Sequence, residues 1–207
     1  LSEFGIDSPF KTLKQTHNYS SLEEAKEEIK KVGEKIKTNG LPTSISPLII
    51  GLTGYGNVSK GAQEIIDLLP VKEITPEELL DFRSKTYDNR TVYKVIFKEE
   101  HLYKTKDNSP FILSHFFANP AEYSANFEQY IPHLTILMNC IYWDSKAEKL
   151  VTKKYLQENW KNPNFHLSVI GDITCDPNGS IEATHEGTPI ENPIFIYHPE
   201  TQKPTFG

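Results

Sequence analysis

Sulfur-containing residues are scarce in this 207-residue chain, which has two cysteines and one methionine. Two cysteines cannot build a disulfide scaffold or a four-cysteine metal site. The seven histidines fall without the HExxH spacing of a metal motif, and no CxxC pair accompanies them, so we expect no bound metal. A reducing cytoplasm is the compartment that this composition favours.

Basic residues and long apolar runs are also in short supply. The 22 lysines and arginines are outnumbered by 28 aspartates and glutamates, which gives a formal charge of -6 at pH 7. With no basic stripe, neither nucleic acid nor an anionic membrane is expected as a partner. No apolar run approaches the roughly 20 residues of a membrane helix, and the N-terminus has no signal-peptide pattern. We therefore expect a small ligand as the partner, and the oligomeric state, including a homo-oligomer, stays open.

The first part of the chain alternates between helical and strand patterns. Apolar spacing, with Ser21 and Glu24 as a capping box, predicts a helix over 21–37. The dense apolar run Leu48–Thr53 is typical of a strand covered on both faces. A helix follows over 62–69, and 71–75 is a candidate second strand. A right-handed βαβ unit would place these two strands side by side.

The rest of the chain continues this alternation less clearly. We interpret 84–133 as a β excursion followed by a short helix, and 134–143 and 166–174 as two further parallel strands on either side of a helix over 152–159. A last strand is expected at 194–197. The pattern predicts an α/β fold of the Rossmann type, a doubly wound, mostly parallel sheet with the β excursion inserted after the second strand.

A glycine loop joins the first strand to the following helix, with the sequence Gly54-Tyr55-Gly56-Asn57-Val58-Ser59. A dinucleotide pyrophosphate needs a tight turn after the strand and then a residue without a side chain, and Gly54 and Gly56 match these needs. Ser59 stands where a third glycine or alanine is usual. The loop therefore predicts a bound nicotinamide dinucleotide, and a plain strand-to-helix turn is the alternative. A nucleoside-triphosphate loop is excluded because Ala62 stands where that motif requires lysine.

Polar residues are expected at one edge of the sheet, where the parallel strands end. The loops after Thr53, Ile74, Cys140 and Ile173 should meet there. Asp172 and Asp176 could be acids, substrate contacts or loop caps.

Cofactor choice depends on the end of the second strand, because a group there usually contacts the adenosine ribose. Thr75 could bind a ribose hydroxyl, make room for a 2′-phosphate, or only cap the next helix. NAD and NADP both remain open.

Several segments together resemble a known family. Residues 54–62 are similar to the glycine loop of the lysine-ketoglutarate reductase half of bifunctional lysine-ketoglutarate reductase/saccharopine dehydrogenase. Further similar segments, in the same order, lie at 17–19, 119–123, 139–143, 172–176 and 179–182. The resemblance covers nearly the whole chain and implies a role in lysine metabolism.

The resemblance implies a fold shared with alanine dehydrogenase, in which a cofactor domain is inserted into a substrate domain. Residues 1–46 would lead from the substrate domain, and 47–207 would form the NAD(P)-binding domain. The implied reaction is the reductive condensation of L-lysine with 2-oxoglutarate to saccharopine, or its reverse. The implied cofactor contacts are Gly54, Tyr55, Gly56, Asn57, Val58, Thr75, Tyr142 and Ile173.

The family's catalytic lysine and histidine are expected outside this chain, in the substrate domain. We therefore expect the chain to bind NAD or NADP and to turn over little substrate alone. Two alternatives remain at this point: a non-catalytic dinucleotide-sensing module, and another amino-acid dehydrogenase of the alanine dehydrogenase type.

Overall fold

The computed structural model describes residues 7–206, and its centre is a sheet of five parallel strands. In chain order the strands are β1 (Leu48–Thr53), β2 (Val71–Glu73), β3 (Val92–Phe97), β4 (Tyr103–Thr105), β5 (Tyr123–Ala125), β6 (Ile136–Asn139), β7 (Val169–Asp172), β8 (Phe195–His198) and β9 (Lys203–Phe206). The central sheet has the order β2-β3-β1-β6-β7. The Rossmann-type α/β fold expected from the sequence is confirmed.

Within residues 7–206, six α-helices connect or flank the strands. They are α1 (Leu22–Asn39), α2 (Asn57–Ile66), α3 (Pro76–Phe82), α4 (Glu99–Leu102), α5 (Leu113–Ala118) and α6 (Lys153–Asn159). The predicted start of α1 is confirmed, since the Ser21 hydroxyl accepts a hydrogen bond from the amide of Glu24 at 3.1 Å. Gly40 ends the helix with a φ of 75°, a conformation that favours glycine. No helix within residues 7–206 is long and apolar enough to cross a membrane.

The two faces of the sheet carry separate hydrophobic clusters, as a doubly wound sheet requires. On one face, α1 and α2 pack through Val32, Ile36 and Ile66 against Leu48 and Leu52 of β1. On the other face lie apolar residues of the remaining helices, namely Leu79, Leu102, Phe116 and Leu156. Helices change faces because the chain moves from β1 to one edge of the sheet and then back across it.

The expectation that β1 and β2 lie side by side is wrong. β3 lies between them and pairs with β1 along its full length, from Leu48 opposite Val92 to Thr53 opposite Phe97. β2 has three residues and occupies the edge of the sheet. A long strand buried on both faces contributes more to the core than this short one, and it takes the interior position next to β1.

A buried lysine in β3 made the sequence of this strand look like part of a peripheral β excursion, because a charged residue is unusual in a buried strand. The side chain of Lys94 is only 6% exposed, and its Nζ lies 2.7 Å from a carboxylate oxygen of Asp67 and 3.2 Å from the side-chain oxygen of Gln63. Both partners come from the end of α2, so they neutralise and bind the ammonium group where it enters the core. The excursion itself is a small antiparallel pair, β4 with β5.

The later predictions hold with shifted boundaries. β6 and β7 lie within the segments 134–143 and 166–174, α6 lies between them, and β8 pairs with β9 in an antiparallel hairpin. The division of the chain at residue 46 stays a prediction, and α1 packs on the same sheet as α2.

Candidate dinucleotide-binding site

Gly54 makes the turn that leaves β1, and its surroundings require a glycine. Its φ of 82° lies in the left-handed region, and a Cβ added there would lie 3.0 Å from Cγ2 of Ile141. The Gly54 amide donates a hydrogen bond of 2.8 Å to the carbonyl of Phe97, the last residue of β3. The turn is therefore fixed between the ends of β3 and β6, the two neighbours of β1.

Gly56 caps the N-terminus of α2, and the space beside it is open. An added Cβ would meet no heavy atom within 4 Å, and no side chain caps this helix. Within residues 7–206, the amides of Asn57 and Val58 have no hydrogen-bond acceptor. Free amides and the positive end of the helix dipole bind anions, so this end of α2 can hold a phosphate group.

Ser59 takes the position of the third glycine without disturbing the packing of the helix. It is fully buried, and its hydroxyl accepts a hydrogen bond of 3.2 Å from the side-chain amide of Gln63. A small side chain with a local partner fits between helix and strand, so the departure from the glycine pattern leaves the loop geometry intact.

Four of the predicted contacts form exposed surfaces around the loop. Tyr55 and Val58 project from the loop, Tyr142 follows β6 and is 93% exposed, and Ile173 follows β7. The Ile173 amide donates to the carbonyl of Asn139, which holds the two strand ends together. Tyr142 is a large aromatic side chain that is nearly fully exposed after the strand next to β1, and it offers a surface on which a planar ligand ring can pack.

Thr75 is placed differently from the other predicted contacts. It lies at the end of the edge strand β2, with β3 between it and β1. Its hydroxyl accepts from the amide of Glu78, and its own amide donates to the Glu78 carboxylate at 2.8 Å. These two hydrogen bonds form a capping box that begins α3. Thr75 therefore caps the next helix, which was one of the three roles expected for it.

A buried polar cluster lies directly beneath the loop, where three adjacent strands end in register. Thr53, Asn139 and Asp172 are aligned across β1, β6 and β7. The Thr53 hydroxyl donates to Asn139 Oδ1 at 2.8 Å and accepts from the amide of Cys140. We call this cluster the Asn139 network, and its members are Thr53, Asn139, Asp172, Thr174, Ser180 and Thr184.

Asn139 is the centre of this network and is fully buried. Its Nδ2 lies 2.8 Å from Asp172 Oδ1, 2.9 Å from the hydroxyl of Ser180 and 3.1 Å from that of Thr174. The three contacts join the end of β6 to β7 and to the loops beyond it. Sequence reasoning noted Asn139 at a strand end but missed Thr53, Ser180 and Thr184 as its neighbours. The available signal was a polar residue at the end of each of the strands β1, β6 and β7, namely Thr53, Asn139 and Asp172.

The Asp172 carboxylate is engaged in this network. Its carboxylate accepts hydrogen bonds from the hydroxyls of Thr174 at 2.6 Å and Thr184 at 2.5 Å, besides the Asn139 amide. Asp176 lies in the following turn and accepts the amide of Gly179 through its backbone carbonyl. The carboxylate of Asp172 is thus held as a hydrogen-bond acceptor that fixes the strand ends.

The two cysteines are free and have different environments. Burial, together with the negative charge of Asp172, raises the pKa of the Cys140 thiol to about 11. Cys140 is therefore protonated at neutral pH and packs as a small apolar residue. Cys175 is exposed.

Comparison with known proteins identifies the family. The chain is 37% identical over 207 residues to the alpha-aminoadipic semialdehyde synthase of Arabidopsis thaliana, covering 94% of this chain and 19% of that protein. It is 33% identical to the mitochondrial alpha-aminoadipic semialdehyde synthases of Mus musculus and Rattus norvegicus, covering 98% and 95% of this chain and 23% of each relative. The chain belongs to the lysine-ketoglutarate reductase/saccharopine dehydrogenase family.

The resemblance seen in the separate motifs therefore extends along nearly the whole chain. No protein-family model matches it. The chain spans about a fifth of the length of these relatives. Both rodent relatives are named as mitochondrial proteins, and the cytoplasmic location expected from the sequence stays a prediction.

Proposed function

We propose that this chain is the nicotinamide-dinucleotide-binding domain of an oxidoreductase that reductively condenses L-lysine with 2-oxoglutarate to saccharopine, or runs the reverse reaction. The observation that carries the proposal is the N-terminus of α2, where free amides face the open space beside Gly56. Membership of the lysine-ketoglutarate reductase/saccharopine dehydrogenase family supports the reaction class.

The residues of the glycine loop fit the cofactor. Gly54 sets the turn, and the missing side chain of Gly56 lets a pyrophosphate approach the amides of Asn57 and Val58. Tyr55 would flank this pyrophosphate site. When bound, the reduced nicotinamide supplies the hydride that converts an imine to an amine.

The second half of the dinucleotide would extend along the ends of β6 and β7. The exposed side chains of Tyr142 and Ile173 would line the nicotinamide half and shield one face of its ring from water. The Asn139 network beneath them fixes both strand ends, so these contacts would rest on a rigid base.

We propose further that the chain alone binds cofactor without appreciable turnover. Of the groups at the strand ends, the Asp172 carboxylate accepts several hydrogen bonds and the Cys140 thiol is protonated at neutral pH. The resemblance places the catalytic lysine and histidine in the substrate domain. The domain division proposed at residue 46 agrees with this separation of cofactor binding from proton transfer.

Calorimetric titration of the 207-residue chain with NADH and with NADPH tests the proposal. We expect saturable binding of at least one of them, with AMP binding more weakly because it lacks the pyrophosphate. Loss of reduced-nicotinamide absorbance should not occur when lysine and 2-oxoglutarate are added to the chain alone. If neither dinucleotide binds at millimolar concentration, the proposed function is wrong.

A further inference from the structure

The strand order changes which residues lie where the adenosine ribose of a dinucleotide would be. The first strand of a Rossmann fold has two neighbours, and one of them begins the second half of the sheet. The other neighbour carries, at its end, the residue that contacts this ribose. Here that neighbour of β1 is β3, and β2 lies one strand further out. Chain order alone would select Thr75 as the ribose contact. In the observed sheet, the residues that follow Phe97 lie at the end of the strand next to β1.

The end of β3 is directly attached to the phosphate loop. The carbonyl of Phe97 accepts the amide of Gly54 at 2.8 Å, so the residues just after Phe97 begin beside the loop. Lys98 is exposed there, and Glu99 is half-buried. The Glu99 carboxylate interacts with the phenol of Tyr55, a loop side chain, and its negative charge raises the pKa of that phenol.

Two opposite charges thus stand at the edge of the proposed cofactor site. Lys98 makes no ion pair within residues 7–206, and its amide donates to Nδ1 of His101 at 3.0 Å. Nε2 of that histidine lies 3.8 Å from the Glu77 carboxylate. The ammonium group of Lys98 therefore remains available to a ligand, and the Glu99 carboxylate interacts with the exposed Tyr55 phenol, a partner that a ligand can replace. The polar groups of Thr75, in contrast, are held in the capping box.

We propose that Lys98 and Glu99 are the residues that set the preference between NAD(H) and NADP(H), an inference that rests on the proposed function. Glu99 accepts hydrogen bonds from the ribose hydroxyls and repels a 2′-phosphate. Lys98 attracts that phosphate. The two residues act in opposite directions on one measurable quantity, the ratio of the dissociation constants of NADPH and NADH.

The test uses the neutral variants Glu99→Gln and Lys98→Gln in the 207-residue chain, titrated with NADPH and NADH. NADPH and NADH differ only in the 2′-phosphate, so the ratio of dissociation constants isolates contacts to that group. Glu99→Gln should lower the NADPH/NADH ratio about tenfold, and Lys98→Gln should raise it about tenfold, as expected for removing one charge near a phosphate.

Thr75→Ala provides the matched control, because it removes the residue that chain order alone would select. It should weaken the start of α3 and lower the unfolding midpoint, while it leaves the ratio within about twofold. An unchanged ratio in both charge variants, or a large change in Thr75→Ala alone, would overturn the assignment to Lys98 and Glu99. Failure of the unmodified chain to bind either dinucleotide would instead overturn the proposed function.

Discussion

Replacing Gly56 by aspartate should strongly weaken dinucleotide binding while it makes the free domain slightly more stable. Aspartate is a favoured N-cap residue, the backbone of Gly56 is extended, and an added Cβ meets nothing within 4 Å. Its carboxylate would accept the free amides of α2 and favour the helix by about 0.5 to 1 kcal/mol. The same carboxylate would occupy the phosphate position and repel it.

We expect the dissociation constant of the preferred dinucleotide to rise on the order of 100-fold in Gly56→Asp, equivalent to about 2.7 kcal/mol. Calorimetric titration measures the affinity, and thermal unfolding without ligand measures the stability. Gly61→Ala is the matched control, because Gly61 lies inside α2 with open space around it. It should also stabilise the helix, by about 1 kcal/mol, and leave the affinity unchanged. Full affinity in Gly56→Asp would show that the helix end does not bind the phosphates.

Replacing Asn139 by alanine should cause a large loss of stability. The change removes one acceptor from Thr53 and the donor shared by Asp172, Thr174 and Ser180, and leaves buried polar groups without partners. We expect the free energy of unfolding to fall by about 3 kcal/mol and the unfolding midpoint by roughly 6 to 12 °C. Thermal and urea unfolding of the unliganded chain measure the effect.

Asn126→Ala is the control for the Asn139 substitution. Asn126 precedes a short 3-10 turn, and its side chain makes no cap hydrogen bond. Its replacement should change the free energy of unfolding by about 0.5 kcal/mol or less. A loss below about 1 kcal/mol in Asn139→Ala would mean that the network does not hold the strand ends together.

The strand, loop and helix around Gly54 could be predicted because their signals are local. Leu48–Thr53 is uniformly apolar, two glycines follow it, and the next apolar residues recur with helical spacing. Each of these features depends on a few consecutive residues. The structure reproduces all of them.

The position of β3 could not be predicted in the same way. Lys94 places a charge inside a buried strand, and its compensation by Asp67 and Gln63 depends on contacts between residues distant in sequence. Strand order is likewise non-local, and the common rule that consecutive strands are neighbours failed for β1 and β2. Thr75 was selected as a ribose contact from this expected strand order and from the resemblance, and its role there stays a prediction.

The role of Asp172 also depended on tertiary contacts. An aspartate at a strand end fits an acid, a substrate contact or a cap equally well in the sequence. Only the hydroxyls of Thr174 and Thr184, together with the amide of Asn139, show that its carboxylate has structural partners. Tyr142, which projects into solvent, was selected from the resemblance, and its contact with the cofactor stays a prediction.

The most direct test of the central claim is the location of the bound pyrophosphate in solution. Amide proton and nitrogen chemical shifts of the labelled chain should be followed while NADH or NADPH is added. We predict that the largest shifts occur at Gly56, Asn57 and Val58, with smaller ones at Tyr142 and Ile173. Saturable binding that leaves the amides of the glycine loop unchanged would contradict the account.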